Sequence, residues 1–213
     1  MTNILPITHS IINSDSLSNI ISSNWDLPKP IHSELLNRGM NDVYLIRDGK
    51  NINHACRVWR SGFRSENDII FETELLSFLH KNNINVPFPI ESQDKSLYMA
   101  INAPEGRRFF SLFSWVDGYV FGSKPDVDNS FKLGAQLATI HQVLKSFAPS
   151  VSREIDMKIR LKTEIIFLLK MNTHRIDDLK WYRNAVSIMI NKLDELNLKS
   201  IPSGVIHGDF HLY

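Results

Sequence analysis

Three parts of this sequence could together handle a phosphoryl group. Residues 207–211 read HGDFH and follow a short apolar stretch, which places Asp209 between two histidines. Phosphoryl transfer needs a carboxylate beside the acceptor hydroxyl, cations on the phosphates and a cover that excludes water. Residues of these types are present, with a carboxylate at Asp209, a cation at Arg57 and a glycine in a hairpin at Gly39.

Each of these residues also has an ordinary structural explanation. The tripeptide HGD occurs as a plain turn, and a lone glycine in a hairpin is more often only a turn residue. Taken separately, Arg57 and Glu72 are typical of solvated surface charges. An arginine nevertheless suits phosphate, because its planar fork is always charged. The order of the segments along the chain therefore carries more information than any one of them.

The elements that must position these residues begin with a helix and several short strands. Apolar residues between 11 and 21 recur at helical spacing, and Pro28 and Pro30 cannot continue that helix. Short apolar runs separated by turn residues follow, a pattern that predicts strands joined by hairpins. The predicted strands lie near residues 31–36, 43–47 and 54–59, and later near 97–100 and 108–113.

Helical periodicity dominates the rest of the chain. Apolar residues from Ile69 to Leu79 repeat at helical intervals and predict one amphipathic helix. The segment Trp115–Gly118 is turn-like, and a lobe boundary could lie there. Beyond it we predict helices near residues 131–144, 154–171 and 178–197, and then a short strand at Val205–Ile206.

Composition narrows the class of protein. The 213 residues include 24 Lys and Arg against 23 Asp and Glu, so the net charge of +1 creates no basic field that would attract nucleic acid or anionic lipid. No stretch approaches the roughly 20 apolar residues that cross a bilayer. The single cysteine, Cys56, cannot form an internal disulfide, which favours a reducing, cytoplasmic setting.

Five further segments accompany the HGDFH loop in a definite order. The most specific of them is LGAQLATIH at residues 133–141. The others are LNRGMNDVYL at 36–45, ACRVWR at 55–60, FETELL at 71–76 and LFSWVDG at 112–118. In this order the segments resemble the aminoglycoside phosphotransferase and type II homoserine kinase family, from about residue 31 to residue 213.

This resemblance implies both a fold and an activity. The fold would be α+β, a protein kinase-like two-lobe fold. Its nucleotide-binding, β-rich N-terminal lobe with a leading helix would span residues 1–115, and a partial helical C-terminal lobe would span 116–213. The implied activity is ATP-dependent transfer of the γ-phosphate to a hydroxyl of a small molecule. Nucleotide and that molecule are the expected partners, and Mg2+ is the cofactor expected of the full-length family.

The resemblance also assigns a nucleotide site. Gly39 and Asn41 match the loop that covers the nucleotide. Arg57 matches the cation that holds its phosphates, and Glu72 matches the glutamate that fixes this cation, with Glu74 as the second choice.

Other positions match the hinge and the catalytic loop. Backbone groups of Ser114 and Val116 match the hinge that holds adenine, and Asp209 matches the catalytic carboxylate. His141 matches a histidine that packs beneath the catalytic loop, and no chemistry is expected of it.

The resemblance stops within the catalytic loop. The family's metal-binding asparagine would follow Tyr213, and a second metal-binding aspartate lies further on, so no metal ligand is assigned in this sequence. Metal charge neutralisation is a major part of phosphoryl transfer. We therefore expect the truncated chain to be a poor kinase, with exposed apolar surface that favours self-association.

Two other functions stay open on the sequence alone. One is a non-catalytic nucleotide-binding or interaction protein, a pseudokinase, which would bind ATP without turning it over. The other is a Ser/Thr protein kinase of the same fold, for which the acceptor would be a protein hydroxyl. The segments above do not name the acceptor and do not distinguish ATP from GTP.

Overall fold

The computed structural model describes residues 6–118, 126–153, 157–171, 174–196 and 204–208. Contacts group the chain into two compact units, one of residues 1–152 with 205–213 and the other of residues 153–204. In chain order the elements are α1 (Ser14–Asn24), β1 (His32–Arg38), β2 (Asn41–Arg47), β3 (Asn53–Trp59), α2 (Glu66–Lys81), β4 (Met99–Ala103), β5 (Gly106–Ser114), α3 (Val127–Leu144), α4 (Met157–Met171) and α5 (Ile176–Glu195).

A five-stranded antiparallel sheet organises the first unit. Its strand order is β1-β2-β3-β5-β4, so the first three strands form consecutive hairpins and β5 pairs with β3 after the chain has passed through α2 and β4. The turn between β2 and β3 is built on Asp48, whose side chain accepts hydrogen bonds from the backbone N–H groups of Lys50 and Ile52. An aspartate at this place stabilises a turn by imitating a backbone acceptor.

One face of the sheet packs against α1. Side chains alternate between the two faces of a strand, which puts every second residue of β2 and β3 into this core. The side chain of Asn13 caps α1 by accepting a hydrogen bond from the Ser16 amide. The buried apolar residues of this cluster are Leu17, Ile21, Trp25, Ile31, Tyr44, Ile46, Cys56, Val58, Phe110 and Leu112.

Helix α2 packs against the opposite face of the sheet. Its first turn is closed by a capping box, in which the Asp68 amide donates to the Ser65 hydroxyl and the Ser65 amide donates to the Asp68 carboxylate. Ile69 then packs with Trp59 and Phe113 in a second buried cluster. The cap and this cluster together fix the helix over the face of the sheet that carries Arg57.

Helix α3 continues the first unit, and α4 and α5 form the second. The end of α3 packs with α2 through a cluster that includes Leu79, Ile84 and Leu144. In the second unit α4 and α5 pack against each other, and the ion pair between Lys158 and Asp194 joins them. Several large apolar side chains of this helix pair are exposed, including Ile159, Phe167, Ile176 and Trp181.

Most predicted elements are confirmed within a few residues of their expected bounds. The five strands form, and so do the four later helices, which correspond to α2, α3, α4 and α5. The leading helix begins three residues later than expected, and residues 154–156 and 197 of the predicted ranges lie outside the described residues. The predicted strand at Val205–Ile206 is wrong, because residues 204–207 adopt no regular structure and pair with no strand in the described part of the chain. Val205 instead packs against the cluster at the end of α3. The predicted division between residues 115 and 116 stays a prediction.

Candidate functional site

Arg57 and Glu72 form an ion pair that joins β3 of the sheet to helix α2. Arg57 lies in β3, opposite Val43 of β2 and Ser111 of β5, so it stands in the middle of the sheet. Its Nη1 donates to a carboxylate oxygen of Glu72 on α2. The side chains are 31% and 25% exposed, so water still reaches both of them. A partly exposed pair of this kind adds only about 0–1 kcal/mol to stability, so its main effect is to orient the guanidinium.

Two aromatic rings support the same guanidinium. Its central carbon lies 5.3 Å from the ring centre of Phe113 and 5.9 Å from that of Trp59. Such cation–π contacts contribute about 0.5–1 kcal/mol at exposed sites and restrict the side chain further. Glu74, the second-choice partner, instead accepts a hydrogen bond from the Ser150 amide at 2.9 Å. The structure therefore brings together Arg57 and Glu72, and it places Glu74 elsewhere.

The hairpin between β1 and β2 carries the next two predicted residues. Gly39 and Met40 form its tip, and Asn41 opens β2 opposite Trp59. A Cβ at Gly39 would meet only the Asn41 carbonyl oxygen, at 4.0 Å, and the φ angle of Gly39 is not in the left-handed region. Neither packing nor backbone conformation within the described residues therefore requires a glycine here. Close approach of a ligand to the backbone is another reason for a glycine.

The predicted hinge lies at the end of β5 and just beyond it. The Ser114 amide donates to the Phe88 carbonyl oxygen at 2.9 Å, and the Ser114 hydroxyl accepts from the Phe88 amide at 3.1 Å. The Ser114 amide is therefore already used within the chain. Val116 is exposed, and within residues 6–118 no hydrogen bond to its backbone amide is found.

The predicted catalytic aspartate, Asp209, lies outside the described residues. The description ends at Gly208, which has a φ of 76° and so adopts the left-handed conformation that glycine tolerates. His141 of α3 has a buried Nε2 atom for which no described residue is a hydrogen-bond partner. The role of Asp209 stays a prediction.

Sequence reasoning missed a set of polar contacts around the β1–β2 hairpin. Arg60, directly after β3, donates from Nη2 to the Gly39 carbonyl oxygen at 2.9 Å. Asp42, directly after Asn41, is fully buried and accepts a hydrogen bond at 2.7 Å from the equally buried Arg108. The sequence signal for Arg60 was its position at the end of the ACRVWR segment, which matched the family. Nothing in the sequence pairs Arg60 with Gly39.

A cavity of about 800 Å³ lies on the side of α2 that carries Glu74. Its lining includes Phe78, Phe88 and Phe147, and the His80 ring stacks on the Phe88 ring with 3.7 Å between their centres. Gly39, Asn41, Arg57 and Glu72 are not among the residues that line it. Phe88, which exchanges hydrogen bonds with Ser114 of the predicted hinge, does line it.

Among the described residues, neither a candidate metal site nor a helix that could span a membrane is found. No group of three or more described His, Cys, Asp and Glu side chains is placed to hold a metal ion. We accordingly assign no metal ligand. Of the helices formed by these residues, none combines the length and apolar character needed to cross a membrane.

A family comparison places most of the chain in one group of proteins. Residues 34–213 match the family model described as the phosphotransferase enzyme family. An uncharacterised protein of Synechocystis sp. is 30% identical over 199 residues, which cover 93% of this chain and 54% of the relative. An uncharacterised protein of Deinococcus radiodurans is 24% identical over 206 residues, which cover 97% of this chain and 59% of that relative. The chain thus spans little more than half the length of these relatives.

Two solved structures share the fold. One is an amicoumacin kinase in complex with AMP-PNP, Ca2+ and Ami, with a TM-score of 0.59 and 18% identity over 79% of this chain and 54% of that one. The other is a microcompartment-associated aminopropanol kinase, with a TM-score of 0.51 and 19% identity over 74% of this chain and 56% of that one. The expected α+β fold of the protein kinase type is confirmed by this likeness.

Proposed function

This chain belongs to the phosphotransferase enzyme family, and on that premise we propose that it is the nucleotide-binding part of an ATP-dependent kinase. The reaction is transfer of the γ-phosphate to a hydroxyl group of a small molecule. One observation carries the proposal more than any other, namely the ion pair of Arg57 with Glu72 beside the hairpin that contains Gly39. A cytoplasmic setting accompanies it, supported by the lone and buried Cys56.

Arg57 binds the phosphates of the nucleotide in this account. Glu72 accepts a hydrogen bond from Nη1 of the Arg57 guanidinium, which leaves the other N–H groups free to donate to phosphate oxygens. Hydrogen bonds between charged partners contribute about 1.5–3 kcal/mol, more than bonds between neutral groups. The rings of Phe113 and Trp59 exclude water from part of the guanidinium, which strengthens its attraction for an anion. Glu72 acts by orienting Arg57 and need not touch the nucleotide.

The hairpin covers the same phosphates. Because β2 and β3 are paired, Gly39 and Asn41 lie two to four residues beyond Val43, the direct neighbour of Arg57. A glycine at this tip lets the backbone approach a phosphate more closely than any side chain would allow. The absence of an internal reason for this glycine, within the described residues, supports the assignment.

The hinge binds adenine through backbone groups. Since the Ser114 amide already donates to Phe88, the carbonyl oxygen of Ser114 and the amide of Val116 are the groups we assign to the base. Adenine offers an amino donor and a ring nitrogen acceptor, which match one carbonyl oxygen and one amide. Asp209 is the proposed carboxylate that orients the acceptor hydroxyl.

A small-molecule acceptor is favoured by the names of the two fold neighbours, which are kinases of amicoumacin and of aminopropanol. Mg2+, when bound, would neutralise phosphate charge, as in other phosphoryl transfer enzymes. The described residues include no cluster suited to that ion, so we assign Mg2+ no ligand among them.

Isothermal titration with ATP, with and without Mg2+, tests the proposal. We expect saturable binding. In Arg57→Ala the affinity should fall roughly 10- to 100-fold, because the hydrogen bonds from the guanidinium to the phosphates are lost. Arg47→Ala is the matched control, because Arg47 lies at the opposite end of β2, and its side chain has one hydrogen bond to a described residue, to Asn53 at 3.4 Å. Equal ATP affinity in all three folded proteins would refute the proposal. Binding without turnover of any hydroxyl compound would favour the pseudokinase alternative.

A further inference from the structure

The tip of the β1–β2 hairpin has little support of its own. Strand pairing ends at Arg38 and Asp42, so Gly39 and Met40 lie beyond the last paired residues of β1. Within the tip, the Gly39 amide donates to the Asn41 carbonyl oxygen at 3.1 Å. Met40 is 61% exposed. A two-residue tip of this kind, with one internal hydrogen bond, has many accessible conformations unless something outside it fixes the backbone.

The root of the hairpin, in contrast, is firmly fixed. Asp42 and Arg108 are both completely buried, and Nη2 of Arg108 donates to a carboxylate oxygen of Asp42 at 2.7 Å. Nε of Arg108 also donates to the Trp59 carbonyl oxygen at 3.0 Å. A buried pair with its donors satisfied holds its elements in one register, because separating it would leave an unpaired charge. Conformational freedom of the hairpin backbone is therefore confined to Gly39 and Met40.

Arg60 reaches this tip from the neighbouring strand. It follows Trp59, the last residue of β3, and Trp59 pairs with Asn41, so Arg60 lies beside the tip. Its Nη2 donates to the Gly39 carbonyl oxygen at 2.9 Å, while its Nε is buried without an acceptor among the described residues. A buried donor left unpaired is unfavourable, which distinguishes Arg60 from an arginine extended freely into water.

We propose that Arg60 is a positioning residue that latches the hairpin tip in its nucleotide-binding conformation. This inference rests on the proposed function, because the tip is the segment assigned to the phosphates. The latch acts through the Gly39 carbonyl, so the backbone amides of the tip are aligned before the nucleotide arrives. A loop that is ordered in advance binds more tightly, since less conformational entropy is lost on binding.

The latch also separates the roles of two arginines, Arg57 within β3 and Arg60 directly after it. Arg57 faces Glu72 and α2, and it contacts the nucleotide itself in the proposed function. Arg60 contacts the chain's own backbone and acts on the nucleotide only through the loop. A lysine at position 60 can still donate to one carbonyl oxygen, although it lacks the rigid fork of arginine. Partial rescue by lysine is therefore a specific consequence of the latch.

Amide hydrogen exchange of the nucleotide-free chain is the first arm of the test. We expect faster exchange of the amides at residues 39–41 in Arg60→Ala by roughly 10-fold, and an intermediate rate in Arg60→Lys. Arg64→Ala is the matched control, because Arg64 lies four residues further on, is exposed and has no hydrogen bond to a described residue. A melting temperature close to that of the unchanged chain shows that each variant is folded.

ATP titration of the same proteins is the second arm. We expect affinity to fall roughly 10-fold in Arg60→Ala, less in Arg60→Lys and not at all in Arg64→Ala. Unchanged exchange at the tip in Arg60→Ala overturns the latch, and so does unchanged ATP affinity in a variant whose tip exchanges faster. Failure of the unchanged chain to bind ATP would instead refute the proposed function, and the exchange data would still decide whether the latch exists.

Discussion

At the scale of single residues, the proposed site depends on how one cation is held. Arg57 is fixed by Glu72 on one side and by the rings of Phe113 and Trp59 on others. Each of these contacts contributes little to stability, but together they leave the guanidinium few orientations. A side chain that is ordered before binding loses less entropy when a phosphate arrives. Orientation, rather than added stability, is what these contacts provide.

Gly39→Ala separates binding from folding at the hairpin tip. Because a Cβ would meet only one atom at 4.0 Å and the backbone is not left-handed, we expect the free energy of unfolding to change by about 0.5 kcal/mol or less. ATP affinity should fall roughly 10-fold, since the new methyl group would stand where the backbone approaches a phosphate. Urea unfolding and ATP titration measure the two quantities. Gly134→Ala is the control, because a Cβ at Gly134 in α3 would meet no described atom within 4 Å apart from its chain neighbours and its own helix backbone. Unchanged affinity would show that the phosphates do not pass Gly39.

At the scale of elements, the segment before α1 is tied to the sheet by charged and polar groups. The Ser10 amide and hydroxyl donate to the two carboxylate oxygens of Glu105 at 3.0 and 2.7 Å. The Ser10 carbonyl accepts from Arg108, and His9 lies 3.1 Å from Asp42. The segment therefore reaches the same buried pair that fixes the root of the hairpin.

Glu105 should give this attachment a measurable pH dependence. Burial alone would raise the pKa of Glu105, but the amide and hydroxyl of Ser10 and the Arg108 guanidinium outweigh it and hold the pKa below its ordinary value of 4.5. A lowered pKa in the folded state stabilises the protein above the unfolded-state pKa, and that stability is lost as the pH falls through the folded value. The free energy of unfolding should therefore decline on acidification below about pH 5 partly through Glu105.

Glu105→Gln tests this attachment by urea unfolding at neutral pH and at about pH 3. We expect the variant to be less stable than the unchanged chain at neutral pH and to lose less stability on acidification. Glu91→Gln is the control, because Glu91 is exposed and its one ion pair within the described residues is with Lys95 at 3.5 Å. The same pH dependence in the Glu105 variant and the unchanged chain would contradict the role given to Glu105.

The sequence predicted local elements well, because their signals lie within a few neighbouring residues. Short apolar runs between turn residues predicted β2 and β3, and helical spacing predicted α2. The order of the family segments predicted that Glu72 pairs with Arg57, and this ion pair is present. Contacts between distant residues left no such signal. Asp42 and Arg108 are 66 residues apart, so neither periodicity nor motif spacing links them. The strand at Val205–Ile206 failed for a related reason, since a strand needs a partner that an apolar run alone does not supply.

At the scale of the whole molecule, each compact unit exposes apolar side chains. In the helix pair of the second unit, Ile159, Phe167, Ile176 and Trp181 are each more than half exposed. Large apolar side chains exposed on one helix pair favour association with other apolar surface. The expectation of self-association drawn from the sequence stays a prediction, and the exposed residues of α4 and α5 give it a location.

Sedimentation of the chain over a range of concentrations tests that expectation. We expect the average mass to rise with concentration. The rise should be smaller for the double variant Phe167→Glu with Trp181→Glu, because charged side chains at these positions oppose burial in a contact between molecules. Replacement of the exposed Lys162 and Lys180 by Glu is the control for added negative charge. A mass that stays that of the monomer at all concentrations would contradict the prediction.

The central claim is that Glu72 serves nucleotide binding through Arg57, and a double-mutant cycle tests it most directly. ATP affinity would be measured for the unchanged chain, Arg57→Ala, Glu72→Ala and the double variant, each with a thermal melt to show that it is folded. We predict that Glu72→Ala weakens ATP binding roughly 10-fold in the presence of Arg57 and has no further effect once Arg57 is alanine. An equal loss in both backgrounds, or unchanged affinity in folded Arg57→Ala, would contradict the account.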